Sequence, residues 1–258
     1  MSHSKVQQFK KDSHSKSVLI GEIYVCEQAL ERLTKNLGDH DKTKSYLGCS
    51  IINFAMNLDV QNKTITKTVL LMDSEVFTTV FTNFANNVKA RKVSFNSNPD
   101  FFKPNTILLI PFIKNQHWYL AEVNNDEKVI TLYDSANSCS SKKHEIILGI
   151  IENIVVENWK FSVPISNQHS PWSKRSATCE QQKNGYDCGM FVIAYTAMIC
   201  SGRLAIYPLD IETDDVEVKT GCRHRLEKKI RTAMIYSGRF AIDPLDIQTD
   251  DDGLKTGY

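Results

Sequence analysis

Apolar residues spaced three and four positions apart predict three helices in this chain. The pattern runs through residues 50–58, 74–84 and 145–158, and such spacing gathers apolar side chains on one face of a helix. Ser74, at the start of the second segment, is a candidate N-cap because its hydroxyl oxygen can accept a backbone N–H hydrogen bond. One face of the third segment is wholly aliphatic: Ile147, Ile150, Ile151, Ile154 and Val155.

The middle of the chain has the shorter period of β-strands. Residues 105–112, 117–123 and 128–134 are rich in β-branched and aromatic side chains, which favour strands. "NND" at 124–126 separates the last two segments as a hairpin turn does. Residues 160–166 are predicted as a further strand, and residues 21–33 as a short strand or helix.

A last element begins at Cys188 and is apolar nearly all round. A helix of that composition belongs in the interior of a protein. Helices therefore precede and follow a group of strands, which predicts an α+β fold. We expect a mainly antiparallel or mixed central sheet flanked by helices, with Cys188 at the N-terminus of a buried helix.

The two ends of the chain differ from this folded region. Residues 1–16 are rich in Ser, Lys and His and are predicted to be a flexible segment. Residues 196–221 and 232–257 repeat each other with 19 matches in 26 positions, and two copies are too few for a solenoid. We expect one folded domain over residues 17–231, followed by a duplicated tail over 232–258 that is mobile.

Charge and cysteine content narrow the function classes. The 31 basic and 30 acidic residues nearly cancel, so neither nucleic acid nor a membrane surface is the expected partner. Seven widely spaced cysteines without a CxxC pair argue against a disulfide framework and a zinc site. We expect a monomer in the nucleus or cytoplasm, with no metal or organic cofactor.

Cys188 is a candidate nucleophile. A thiol at a helix start lies near unpaired backbone N–H groups and the positive end of the helix dipole, and both favour the thiolate. His117 opens one strand of the predicted hairpin and Asp134 closes the other, so the two side chains can meet. A carboxylate on one ring nitrogen stabilises the imidazolium that forms when the other takes a proton from sulfur.

Attack by a thiol on a carbonyl forms an oxyanion that needs hydrogen-bond donors already in place. The backbone N–H of Cys188 is one candidate, and the side-chain amide of Gln182 is a second, because "NGYD" (184–187) resembles a tight turn. Gln181 is an equal rival at this point. Each of these residues also has a structural explanation, as a packed thiol, a core imidazole, a loop cap or a surface amide. Their joint arrangement favours catalysis.

"HWYLAEVNNDEKVITLYDS" (117–135) and "CEQQKNGYDCGMFV" (179–192) resemble the Ulp/SENP family of cysteine proteases, which process SUMO and related ubiquitin-like proteins. The resemblance runs from about residue 44 to 231 and includes residues 222–230 as the closing helix of the family. It implies that Cys188 is the nucleophile, His117 the base and acid and Asp134 the orienting carboxylate. It also selects Gln182 over Gln181 as the oxyanion donor.

The resemblance further assigns substrate-binding positions. Trp118 is expected to lie across a narrow channel that admits only a Gly-Gly terminus, although an aromatic that merely packs on the sheet is an alternative. The other substrate-binding positions that it implies are Tyr46, Gly185 and Asp187. The family usually has Trp-Leu-Asn-Asp before its first helix, whereas this chain has "YLGCSIINF" (46–54). Loss of the acidic residue removes a charge contact and bears on substrate choice.

The expected function is cleavage after the C-terminal Gly-Gly of a ubiquitin-like modifier, with SUMO as the first choice. One alternative keeps the chemistry and changes the modifier to ubiquitin or to the one that cullins carry. Another is a diverged protein that binds a modifier without cutting it.

Overall fold

In the computed structural model, the described residues are 17–20, 23–26, 46–86, 99–136, 141–162, 171–182 and 184–202. The strands are β1 (Ser17–Ile20), β2 (Ile23–Cys26), β3 (Thr68–Leu71), β4 (Thr106–Lys114), β5 (His117–Asn124), β6 (Val129–Tyr133) and β7 (Ser173–Ser176). The helices are α1 (Cys49–Gln61), α2 (Ser74–Ala85), α3 (Ser141–Ser162) and α4 (Cys188–Ser201), with a 3-10 turn at Pro99–Phe102.

The main sheet has five strands in the order β3-β4-β5-β6-β7. The three central strands pair antiparallel, whereas β3 and β7 join the two edges in parallel. Strands β1 and β2 form a separate antiparallel pair. The expected α+β fold with a mixed central sheet and flanking helices is confirmed.

Two apolar clusters cover the two faces of the sheet. One contains α1 and α4 side chains packed on Trp118 and Leu120, and the other contains α2 and α3 side chains packed on Tyr119 and Ala121. Successive β5 residues alternate between these clusters because side chains alternate across a strand. Since helices cover both faces, β4 is a nearly continuous apolar run whose first seven residues are buried.

The predicted helices over 50–58, 74–84 and 145–158 and the three central strands are all present, with β5 and β6 as a hairpin. The cap of α2 was predicted one residue too late. Asp73 is the N-cap, and its carboxylate oxygen accepts hydrogen bonds from the backbone N–H groups of Glu75 and Val76. Ser74 is the first helical residue and is fully buried. A carboxylate is also the better acceptor toward the positive helix end.

The predicted strand over 160–166 is wrong at its start, because α3 continues to Ser162 and the rest of that segment lies outside the described residues. Two edge strands, β3 and β7, were missed. All four residues of β7 are exposed, so they carry no apolar alternation to read. Within 21–33, the described part is strand β2.

Several predictions concern residues that the structure does not describe. These are the flexible segment 1–16, the closing helix 222–230 and the tail 232–258. Of the first repeat copy, residues up to 201 lie in α4, which ends at Gly202 with φ of 65°, a conformation that glycine adopts without strain. Among the described residues, no helix has the length and apolarity to cross a bilayer.

Candidate active site

The hairpin of β5 and β6 brings His117 to Asp134. Leu120 pairs with Tyr133, so Asp134, the next residue, falls level with Tyr119 and diagonal to His117 on the same face. Diagonal neighbours across a strand pair are within reach of long side chains. His117 Nε2 lies 2.7 Å from Asp134 Oδ1. The imidazole also meets the Tyr119 ring edge-on, with centroids 4.6 Å apart, which fixes its plane.

The Asp134 carboxylate is buried, with its side chain 2% exposed, and several groups hold it. The backbone N–H of Ala136 donates to Oδ1 at 2.8 Å. The second oxygen, Oδ2, lies 2.8 Å from Nε2 of His144 in the first turn of α3. His144 was not identified as a site residue from the sequence. The one sequence feature that marks it is its position directly before the predicted helix over residues 145–158.

The backbone carbonyl of Asp134 is fixed as well. It accepts from the Cys179 thiol at 3.3 Å and from Gln181 Nε2 at 3.0 Å. Burial raises the pKa of Cys179, so this thiol stays protonated and can donate. Gln181 Nε2 also donates to the Cys179 carbonyl at 3.0 Å. Both amide N–H groups of Gln181 are therefore engaged on backbone carbonyl oxygens.

Gln182 is fastened to the segment after Asp134. Its backbone N–H donates to the Ser135 carbonyl at 2.7 Å, and its side-chain carbonyl accepts from the Ser135 hydroxyl at 2.8 Å. Its amide nitrogen donates to the Asn184 carbonyl at 2.5 Å. Among the described residues, these bonds use one of the two amide N–H groups, and they set the plane of the other.

The turn before α4 is organised by Asn184. Its side-chain oxygen accepts from the backbone N–H groups of Tyr186 and Asp187, both at 3.0 Å. Its amide donates to the buried Asp187 carboxylate at 2.5 Å. Asp187 is therefore turned inward at the N-cap of α4, whereas Gly185 is exposed at the tip of the turn.

Cys188 is the first residue of α4, and it is 0% exposed. It belongs to the same apolar cluster as Leu47 and Trp118, against which Tyr46 packs. The Trp118 indole N–H donates to the Leu47 carbonyl at 3.0 Å, which ties the segment before α1 to the sheet. The Cys188 thiol is therefore closed off from solvent in this structure.

The His117 ring lies between a carboxylate and the Cys188 side chain. Burial disfavours the charged ring, but hydrogen bonds with Asp134 and Cys188 and the charges of both favour it more strongly, and the pKa of His117 is raised to about 9. Since Nε2 faces Asp134, Nδ1 is the nitrogen left for Cys188. The imidazole therefore carries a proton beside the Cys188 sulfur at neutral pH.

The described residues hold no group of three or more His, Cys, Asp or Glu side chains arranged to bind a metal ion. The two imidazoles on Asp134 contact different carboxylate oxygens and do not converge on a common point. The site presents a thiol, an imidazole and a carboxylate.

A mixed sheet flanked by helices, with these three groups where β5 begins, β6 ends and α4 starts, is the architecture of a cysteine protease domain. The Ulp1 protease family, in its C-terminal catalytic domain, matches residues 45–216. The chain belongs to this family.

Two curated relatives come from Arabidopsis thaliana. NEDD8-specific protease 1 is 28% identical over 106 residues, which are 39% of this chain and 46% of that protein. Ubiquitin-like-specific protease ESD4 is 28% identical over 97 residues, 37% of this chain and 19% of that protein. The chain thus spans less than half the length of either relative.

Solved structures share the fold. SUMO protease Ulp1 with its catalytic cysteine oxidised to a sulfonic acid superposes with a TM-score of 0.59 and 19% identity, covering 86% of this chain and 91% of that one. The Ulp1 protease domain in complex with Smt3, the yeast ortholog of SUMO, gives 0.58 and 18%, covering 86% and 89%. The superpositions show a common fold, and at identities this low they show the fold alone.

Proposed function

We propose that this protein is a cysteine protease that cleaves after the C-terminal Gly-Gly of a ubiquitin-like modifier, with SUMO as the first candidate. The observation that carries the proposal is the position of the His117 ring, bonded through Nε2 to Asp134 and interacting on its other side with Cys188. Membership of the Ulp1 protease family supports it.

In the proposed reaction, the Cys188 thiolate attacks the glycine carbonyl carbon and forms a tetrahedral oxyanion. The imidazolium of His117 gives its proton to the departing amine as the C–N bond breaks, which leaves a thioester. His117 then takes a proton from water, whose oxygen attacks the thioester. The modifier leaves as its carboxylate, one proton passes to solvent, and the Cys188 thiolate and His117 imidazolium are restored. Asp134 holds the ring and stabilises its charged form throughout.

Two donors are proposed for the oxyanion: the backbone N–H of Cys188 at the start of α4 and the second amide N–H of Gln182. The bonds of Gln182 to Ser135 and Asn184 support this role, because they fix its amide before substrate arrives. Gln181 is a poor donor for the reaction, since its amide already serves two backbone carbonyls.

Tyr46, Trp118, Gly185 and Asp187 are proposed to form or support the substrate-binding surface. Tyr46 is partly exposed and packs on the cluster that covers the thiol, where a diglycine lacking side chains needs the least space. Gly185 is exposed on the turn beside the helix start. Asp187, being buried and bonded to Asn184, acts by shaping that turn.

A NEDD8-type modifier is the second candidate substrate, and a sequence match supports it. NEDD8-specific protease 1 matches this chain in sequence, whereas the solved structures named above are SUMO proteases. Gly48 and Cys49 occupy the positions where an acidic contact to SUMO is expected, and an uncharged surface there weakens one basis for discrimination. A NEDD8-type modifier is therefore the second candidate.

The test is covalent trapping with SUMO, a NEDD8-type modifier and ubiquitin, each carrying a C-terminal electrophile that bonds to an active-site thiol. We expect the wild-type protein to be trapped by SUMO at a rate at least about tenfold above the others, as read by mass spectrometry. Faster trapping by the NEDD8-type probe would replace the modifier and keep the chemistry.

Cys188→Ala is the matched control. It should abolish both trapping and cleavage of a fluorogenic modifier while modifier binding stays measurable. Trapping that persists in this variant, or a folded wild-type protein that no probe labels, would contradict the proposed function.

A further inference from the structure

A second imidazole shares the carboxylate of Asp134. His144 Nε2 lies 2.8 Å from Oδ2, while His117 Nε2 lies 2.7 Å from Oδ1. His144 is partly buried, with its side chain 19% exposed, and it comes from α3, on the opposite side of the sheet from α4. Neither the motifs nor the proposed reaction accounts for it.

We propose that His144 is a positioning residue that fixes the Asp134 carboxylate in the orientation that His117 requires. This inference rests on the proposed function, because it assigns His144 a part in the same reaction. His144 touches neither the thiol nor the ring of His117 in this role, and acts only through Asp134.

The geometry explains why a second donor matters. Asp134 directly follows β6, and strand pairing orders the backbone but not the rotation of a carboxylate, which hydrogen bonds to its oxygens must fix. A carboxylate held at one oxygen can rotate about its Cβ–Cγ bond, whereas donors on both oxygens fix its plane. Ala136 and His117 contact Oδ1, and His144 contacts Oδ2.

The direction of donation does not depend on the charge of His144. Its Nδ1 lies 3.1 Å from the Ser176 hydroxyl, which can donate to a neutral ring or accept from a charged one. In the neutral tautomer selected by donation from Ser176, as in the imidazolium, Nε2 bears a proton. That proton points to a carboxylate that can only accept.

Ser176 and His144 thus form an outer support for Asp134. Ser176 ends β7, which is parallel to β6, and His144 lies in the first turn of α3. The order of contacts is Ser176 to His144, His144 to Asp134, and Asp134 to His117. Removing an outer group that orients a metal ligand typically costs about 10- to 100-fold in affinity or activity, and we expect a similar range here because His144 orients Asp134 in the same indirect way.

The experiment uses a pair of amide substitutions on the full chain. A glutamine amide nitrogen lies about where imidazole Nε2 lies, so His144→Gln keeps the donor to Asp134. An asparagine amide lies about where Nδ1 lies, so His144→Asn keeps a polar group near Ser176 but does not reach Oδ2. Both are compared with wild type in kcat and KM on a fluorogenic modifier, and in Tm.

We expect His144→Asn to lower kcat by about 10- to 100-fold with KM changed by less than about 3-fold, and His144→Gln to restore most of kcat. Ser176→Ala, on an exposed strand that tolerates substitution, should lower kcat by about 2- to 5-fold because the ring loses one restraint. A purely structural role predicts instead that the Asn and Gln variants lose kcat equally, in step with Tm, and that result would overturn the inference.

A spectroscopic signature separates this inference from the proposed function. The His117 Nε2 proton, hydrogen-bonded to a buried carboxylate, should give a protected downfield NMR signal in wild type and His144→Gln. In His144→Asn it should broaden or vanish. An unchanged signal in His144→Asn refutes the positioning role, whether or not the protein cleaves a modifier. If the wild-type protein reacts with no modifier but its signal still depends on His144, only the proposed function is refuted.

Discussion

The thiol and the carboxylate of this site are held in opposite ways. Cys188 is fully buried in an apolar cluster that includes Leu47 and Trp118. Asp134, on the other side of the His117 ring, is held by hydrogen bonds to both carboxylate oxygens and to its backbone carbonyl. Packing therefore positions the thiol, whereas a polar network positions the carboxylate.

This difference predicts two kinds of response to substitution. A lost hydrogen bond on the carboxylate side leaves the fold nearly intact but changes the orientation and charge of His117, so it should affect kcat most. A volume change on the thiol side disturbs close-packed atoms, so it should affect stability and chemistry together.

The largest effect is expected from Asp134→Asn, which keeps the shape of the side chain and removes its charge. We expect kcat/KM to fall by about 10³- to 10⁴-fold, because an amide does not stabilise the imidazolium. The wild-type alkaline limb of the kcat/KM profile should lie near pH 9, where His117 loses its proton. In the variant this limb should move down toward the ordinary histidine pKa of about 6.5.

Stability gives an independent check with a defined sign. Because the pKa of His117 is raised to about 9 in the folded protein, its contribution to folding is complete below about pH 6.5 and is lost as pH rises to about 9. Denaturant unfolding across that window should show this loss in wild type and a smaller one in Asp134→Asn. If the free energy of unfolding changes equally with pH in the two proteins, the Asp134 carboxylate does not raise the pKa of His117.

The next effect tests the two adjacent glutamines. Gln182→Ala should lower kcat by about 100- to 1000-fold with a smaller change in KM, because one proposed oxyanion donor is lost. Gln181→Ala is the matched control, since it loses two backbone contacts near Asp134 but no proposed donor, and we expect a loss of about 10-fold or less. Steady-state kinetics measure both. Equal losses would place Gln182 in the supporting network rather than in the oxyanion site.

Much of this arrangement is predictable from the sequence, and the exceptions have physical causes. The long helices and the β5-β6 hairpin follow from their periods, and the hairpin register places His117 near Asp134. Strand β7 and the contact of His144 with Asp134 are not predictable locally. An exposed polar strand is defined only by its pairing with β6, and the reach of His144 depends on how α3 packs on the sheet.

The smallest effect is expected from alanine substitutions at two helical glycines, which test the packing around the Cys188 thiol. A Cβ at Gly189, next to the thiol, would lie 3.0 Å from Ile52 Cδ1 and 3.2 Å from Leu47 Cβ, whereas one at Gly149 meets nothing within 4 Å. Alanine gains about 0.5–1 kcal/mol over glycine in a helix interior, so Gly149→Ala should be stabilised by about that amount. Overpacking costs about 1–3 kcal/mol, so Gly189→Ala should show a net loss of about 1 kcal/mol.

Denaturant unfolding measures both variants, and kcat/KM on a fluorogenic modifier shows whether the disturbance reaches the chemistry. Because Leu47 also accepts the Trp118 indole hydrogen bond, a displaced Leu47 should disturb the cover over Cys188 and lower kcat/KM in Gly189→Ala but not in Gly149→Ala. If both variants gain stability equally, the side chains around the thiol yield easily. Packing would then not be what positions Cys188, and the contrast with the hydrogen-bonded carboxylate would fail on the thiol side alone.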